Sequence, residues 1–94
     1  MQPAWQASVV MDGRQYQLVG RWNDNGFWTL DILTATAEPI LLGRKIELGM
    51  DLIGRYTDDR LPSGKLFVVS NTKGRTPQFN DMRENARLIY VRPV

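Results

Sequence analysis

Asp12-Gly13 lies between "WQASVVM" and "YQLVGRW", two stretches in which apolar residues fall at alternate positions. Alternate side chains of a strand share a face, so Trp5, Ala7, Val9 and Met11 line one surface and Tyr16, Leu18, Gly20 and Trp22 another. Asp-Gly is among the pairs that most readily take positive φ at both central positions of a two-residue I′ turn. Such a turn sets Val9 against Tyr16, Ala7 against Leu18 and Trp5 against Gly20, and the two apolar faces then coincide. Trp5 would lie across the backbone that Gly20 leaves bare. A chain that opens with this hairpin is a β protein from its start.

The next connection, "WNDNGFW", tests that reading. A two-residue Asn25-Gly26 turn would oppose Trp22 to Thr29 and send Trp28, Leu30 and Ile32 to the wrong side, because a one-residue slip inverts every side chain. A three-residue loop, Asp24-Asn25-Gly26, closed by Gly26 in the left-handed region, sets Trp22 against Trp28, Gly20 against Leu30 and Leu18 against Ile32. The tryptophan pair reads as core of a three-strand meander. A base-stacking or sugar-binding platform is its functional alternative.

Pro39 breaks the chain, and "ILLGRKIEL" then reads as a fourth strand with Ile40, Leu42, Ile46 and Leu48 on one side and Arg44 as the exception. The glycines of "LLGRKIELGMDLIGRY" do not form a phosphate loop. Gly43, Gly49 and Gly54 are spaced by 6 and 5, and Gly43 falls inside a strand rather than between a strand end and a helix N-terminus. Gly43 is expected to mark a bulge or a close backbone approach, and Gly49 and Gly54 turns. "TDDRLPSG" is turn material, and "KLFVVS" is a continuously apolar strand of the kind buried on both faces. "NTKGRTPQFNDMREN" has no period; Asn80 or Asp81 could cap one short helical turn there, with Phe79 as an anchor. "ARLIYVR" closes the chain as a last strand. The expected fold is all-β: one domain over residues 1–94, a small barrel or two-layer sandwich of about six antiparallel strands with at most one short helical turn.

Composition narrows the chemistry. The 94 residues include no cysteine and no histidine, which removes disulfides, thiolate metal sites, the usual general base near neutral pH and every Cys–His or Ser–His pair. Carboxylates remain, among them Asp31, Glu47, Asp51 and the adjacent Asp58-Asp59, but neighbouring acids in "TDDR" read as a solvated turn. No enzyme and no cofactor is expected. "MQPAWQASVV" lacks the charged start and apolar run of a signal peptide, and no stretch has the roughly 20 apolar residues of a membrane span. Net charge is only +2, yet residues 60–92 carry seven basic groups against Asp81 and Glu84. That region reads as a solvated face or as the match for an acidic protein partner, with nucleic acid the weaker fit.

Four pieces taken in order, "RWNDNGFWTLDI", "PILLGRKIELGMDLIGRY", "LPSGKLFVV" and "GRTPQFNDMRENARLIYV", resemble the small baseplate plug family of contractile-tailed phages. The resemblance covers nearly the whole chain after residue 10. It implies a virion component of the tail baseplate, made in the host cytoplasm, that joins hub or spike proteins to the tail tube, with a homo-oligomer in the assembly left open. It brings no catalytic motif. The residues themselves agree, since the aperiodic segments concentrate side chains that anchor protein interfaces: Arg55, Tyr56, Arg60, Lys73, Arg75, Phe79 and Arg83. An oligonucleotide-binding small β-barrel is the alternative.

Overall fold

The computed structural model describes residues 4–54, 56, 58–70 and 87–93. Six strands follow one another, β1 (Ala4–Met11), β2 (Arg14–Asn23), β3 (Phe27–Thr34), β4 (Pro39–Lys45), β5 (Lys65–Val69) and β6 (Arg87–Val91). The first four form an antiparallel sheet in chain order, and β5 and β6 form a two-stranded ribbon. All named pairings are antiparallel, and no helix occurs among the described residues. The barrel half of the expectation is corrected: the strands make two separate sheets rather than a closed ring.

The opening hairpin has the expected register, with Val9 opposite Tyr16, Ala7 opposite Leu18 and Trp5 opposite Gly20. Asp12 and Gly13 sit at φ 55° and 73°, the positive pair that an I′ turn demands. The second loop is the three-residue one. Gly26, at φ 101°, donates its N–H to the Asn23 carbonyl over 2.9 Å, and the Asn25 N–H is held by Asn23 Oδ1 at 2.8 Å. Trp22 therefore pairs with Trp28, Gly20 with Leu30 and Leu18 with Ile32. The two indoles meet edge to face, centroids 5.6 Å apart at 67°, a geometry set by the negative ring face and positive ring edge.

The fourth strand departs from its expected face. Ile32 pairs with Leu41 and Leu30 with Arg44, so Leu42 and Gly43 together oppose Asp31. This is a bulge, as the glycine suggested, with Gly43 at φ 71° and its N–H donated to Asp31 Oδ1 at 2.8 Å. The extra residue here shifts the alternation by one, and a second shift follows between Ile32 and Leu33, where Ile40 is the additional residue. Leu42 points outward and is 61 % exposed, while Leu41 joins the core margin. The strand also ends at Lys45, short of residue 48, and Ile46 is buried beyond it. β5 needs a second correction. It alternates rather than being buried on both faces: Leu66 and Val68 point inward, Phe67 is half-buried, and Lys65 and Val69 are exposed.

The core lies between the two sheets. Tyr16, Leu18, Trp28, Leu30 and Ile32 from the large sheet meet Leu66 and Val68 from the ribbon, with Ile46, Leu52, Ile53 and Leu61 filling the rest. Residues 48–52 join the layers by running along the outer edge of β5. Leu48 bridges Val68 in parallel, Gly49 N donates to Val68 O at 2.9 Å, and Leu52 N donates to Leu66 O at 2.8 Å. Burying these apolar side chains stabilises the fold by about 1.5–3 kcal/mol each before entropy is subtracted.

Candidate functional site

The aperiodic segment 49–64 crosses the end of the opening hairpin and is pinned there by side chains. Asp12, placed by the turn, is the hub. Its Oδ2 accepts hydrogen bonds from Ser63 N at 2.7 Å and Ser63 Oγ at 2.9 Å, and its Oδ1 accepts one from the Tyr90 hydroxyl at 2.7 Å. That hydroxyl in turn accepts the Gly64 N–H at 2.8 Å. The backbone N–H of Ser63, the Tyr90 hydroxyl and the Ser63 hydroxyl all favour the ionised form, so the Asp12 pKa lies below the usual 3.8. Tyr90 is pushed the other way, by loss of water and by the Asp12 carboxylate it donates to. A single carboxylate thus links the β1–β2 turn, the crossing segment and the last strand.

Two further anchors hold the segment. The Tyr16 hydroxyl, buried under it, donates to Arg60 O at 2.6 Å, and its burial raises the phenol pKa above 10.0. Asp51 Oδ1 accepts the N–H groups of Ile53 at 3.2 Å and Leu66 at 3.1 Å, closing the turn onto β5. At the surface, Arg14 Nη1 reaches Asp59 O at 3.2 Å. Asp58 accepts from its neighbour two positions on: Arg60 Nη2 lies 2.7 Å from Oδ2 and Arg60 Nε 3.0 Å from Oδ1. This fork lowers the Asp58 pKa to about 2 and keeps Arg60 more firmly charged. A cleft of about 320 Å³ opens beside the segment, lined by Arg14, Ile53, Tyr56, Asp58 and Ser63 among others.

Of the seven interface residues expected from the sequence, Tyr56 and Arg60 lie on this segment, and both are exposed. Tyr56 stands at the cleft. Arg60 is already forked onto Asp58, so an incoming carboxylate must compete with an ion pair whose own net worth at the surface is small. Arg55, Lys73, Arg75, Phe79 and Arg83 lie outside the described residues, as does the helical turn expected at Asn80 or Asp81. Asp12 and Tyr90 were missed as a joint. Asp12 carries a turn signal that fully accounts for it locally, and no spacing rule connects it to a tyrosine 78 positions away.

The same geometry bears on the alternatives. Trp28 is 1 % exposed and belongs to the core, with Trp22 partly buried at its margin, so Trp28 cannot offer its face to a base or sugar. Asp31, 9 % exposed, accepts from Gly43 N and from Arg21 Nε at 3.1 Å. Asp31, Asp51 and Asp58 each hold part of their own chain. Among the described residues no group of three or more acidic side chains gathers in a metal-binding arrangement.

No curated protein matches the chain significantly. A family model does: the one described as "Cyanophage baseplate Pam3 plug gp18" matches residues 2–93, nearly the entire sequence. The match runs through both hairpins, the pinned segment and the closing strand, the same stretches that carry the resemblance in sequence. This chain belongs to the phage baseplate plug family.

Proposed function

We propose that this protein is a non-catalytic structural part of the tail baseplate, joining hub or spike proteins to the tail tube through protein–protein contacts. Family membership supports the baseplate role. The observation that supports the joining role is the set of hydrogen bonds that anchor the segment 49–64 at Asp51, Arg60 and Ser63. Asp12 ties it to the β1–β2 turn, Tyr16 to β2 and Asp51 to β5, and the Tyr56 N–H donates to Ile53 O at 3.1 Å. A surface ordered in advance loses little conformational entropy on binding. Tyrosine and arginine suit such a surface, because each offers a large flat group with a polar edge.

In this reading the contacts come from residues 49–64 and 71–85, with Arg55, Tyr56, Arg60, Lys73, Arg75, Phe79 and Arg83 as anchors, against an acidic surface on the neighbouring tail protein. The test is to assemble tails with Tyr56→Ala combined with Arg75→Glu and weigh the recovered chain by mass spectrometry. The isolated variant should melt close to the parent, each change costing within about 0.5 kcal/mol in this reading. Recovery in tails should fall by about tenfold. Unchanged recovery would move the interface elsewhere, and absence of the parent chain from purified tails would end the structural reading.

A further inference from the structure

The β5–β6 ribbon is apolar on both faces, and only one is covered among the described residues. Inward, Leu66, Val68, Leu88 and Tyr90 pack on the core. Outward, the strands present Lys65, Phe67 and Val69 beside Arg87, Ile89 and Val91, with Phe67 directly opposite Ile89, Lys65 opposite Val91 and Val69 opposite Arg87. Val69 is 37 % exposed, Ile89 42 % and Val91 47 %. The outward face of the large sheet is more mixed, with Gln6, Ser8, Gln15, Gln17, Arg21 and Thr29 beside exposed Val10 and Leu42. An antiparallel sheet with one face in water normally alternates apolar with polar residues, whereas four of the ribbon's six outward positions are apolar. Among the described residues, only the inward face of the ribbon packs on the core.

Charge indicates what the second cover is. The six outward positions hold two cations, Lys65 and Arg87, and no carboxylate, and exposed Arg92 follows β6 directly. An apolar strip flanked by cations matches an apolar patch rimmed by Asp and Glu, since opposite charges at the rim steer the encounter while the centre is desolvated. Nucleic acid suits the cations but not the strip, where branched aliphatic side chains outnumber the single aromatic that could stack on a base. We propose that the outward face of the β5–β6 ribbon is a docking surface for an acid-rimmed apolar patch on another protein subunit of the tail. This rests on the reading of the chain as a tail component, and it adds a second surface, apart from segment 49–64.

The experiment places a benzophenone amino acid at position 89 in one chain and at position 17, on the outward face of the large sheet, in another. Tails assembled with each are irradiated, and the linked peptides are sequenced. Position 89 should join a different tail protein at a peptide with Asp or Glu nearby, and position 17 should not. Lys65→Glu with Arg87→Glu should reduce that product about tenfold. Benzophenone at position 91 serves as the second probe, and both labelled chains should melt near the parent because their sites are exposed. Linkage from both 89 and 91 to residues 71–86 of the same chain would overturn the proposal, as would nuclease-sensitive linkage, equal yield from position 17 or indifference to charge reversal. A parent chain present in tails with 89 and 91 unlinked defeats the docking face alone, whereas a parent chain missing from tails defeats the tail-component reading itself.

Discussion

Gly20→Ala should destabilise this protein although alanine is the better strand residue, and the reason is one indole. A Cβ built on Gly20 would collide with the Trp5 ring at Cε2, Nε1 and Cζ2. These atoms belong to a rigid bicycle, so the whole ring must swing away. A tryptophan in such a setting buries about 150–250 Å². Losing half of that at about 25 cal/mol/Å² costs roughly 2–3 kcal/mol. Trp5 Nε1 is buried without a hydrogen-bond partner among the described residues, so releasing it to water returns up to about 1 kcal/mol. The net cost is about 2 kcal/mol, which for a domain of this size lowers the melting temperature by about 8–16 °C. The control is the same substitution in a Trp5→Ala background. There the obstruction is gone, and Gly20→Ala should be neutral or stabilising by about 0.5–1 kcal/mol, because glycine loses more backbone freedom on folding. Thermal or urea melts of the parent, both single variants and the double variant close the cycle, with an expected coupling of about 2–3 kcal/mol. Equal effects of Gly20→Ala with and without Trp5 would refute the argument.

Trp28→Ala removes a fully buried aromatic and should cost about 3–5 kcal/mol, read from urea unfolding; a loss under about 1 kcal/mol would mean that Trp28 is not core. Stability should also fall in acid. The folded pKa values of Asp12 and Asp58 lie below the ordinary 3.8, Asp58 at about 2, so what these carboxylates contribute is present above pH 3.8 and is lost as the pH drops through their folded values. Melting temperatures taken from pH 6 down to pH 2 should decline over that lower range, and Asp12→Asn should flatten the decline; a variant curve parallel to the parent's would show that Asp12 plays no part.

Much of the large sheet was legible because its information is local. The I′ turn at Asp12-Gly13 and the three-residue loop closed by Gly26 each set a register within a few residues, and period two then assigned every face, including the pairing of Trp22 with Trp28. Even the bulge at Gly43 was marked by its residue type. The phase change it imposes was not, since one extra residue can enter an alternating pattern without altering its appearance. Leu42 was expected inside and lies outside.

Contacts across the chain were decided by tertiary structure alone. The carboxylate of Asp12 could have faced water, as turn aspartates often do; instead the packing of the ribbon brings Ser63 and Tyr90 to it. Closed barrel and open sandwich share the same strands and the same alternation, and they differ only in whether the two edges of the sheet meet. The sequence by itself determined β structure, two turns, two registers and a chemistry without histidine or cysteine, because turn dihedrals and side-chain alternation act between near neighbours. The separation into two sheets and the anchoring of Asp51, Arg60 and Ser63 came from tertiary structure, because they depend on which distant surfaces desolvate one another, and no residue specifies that alone.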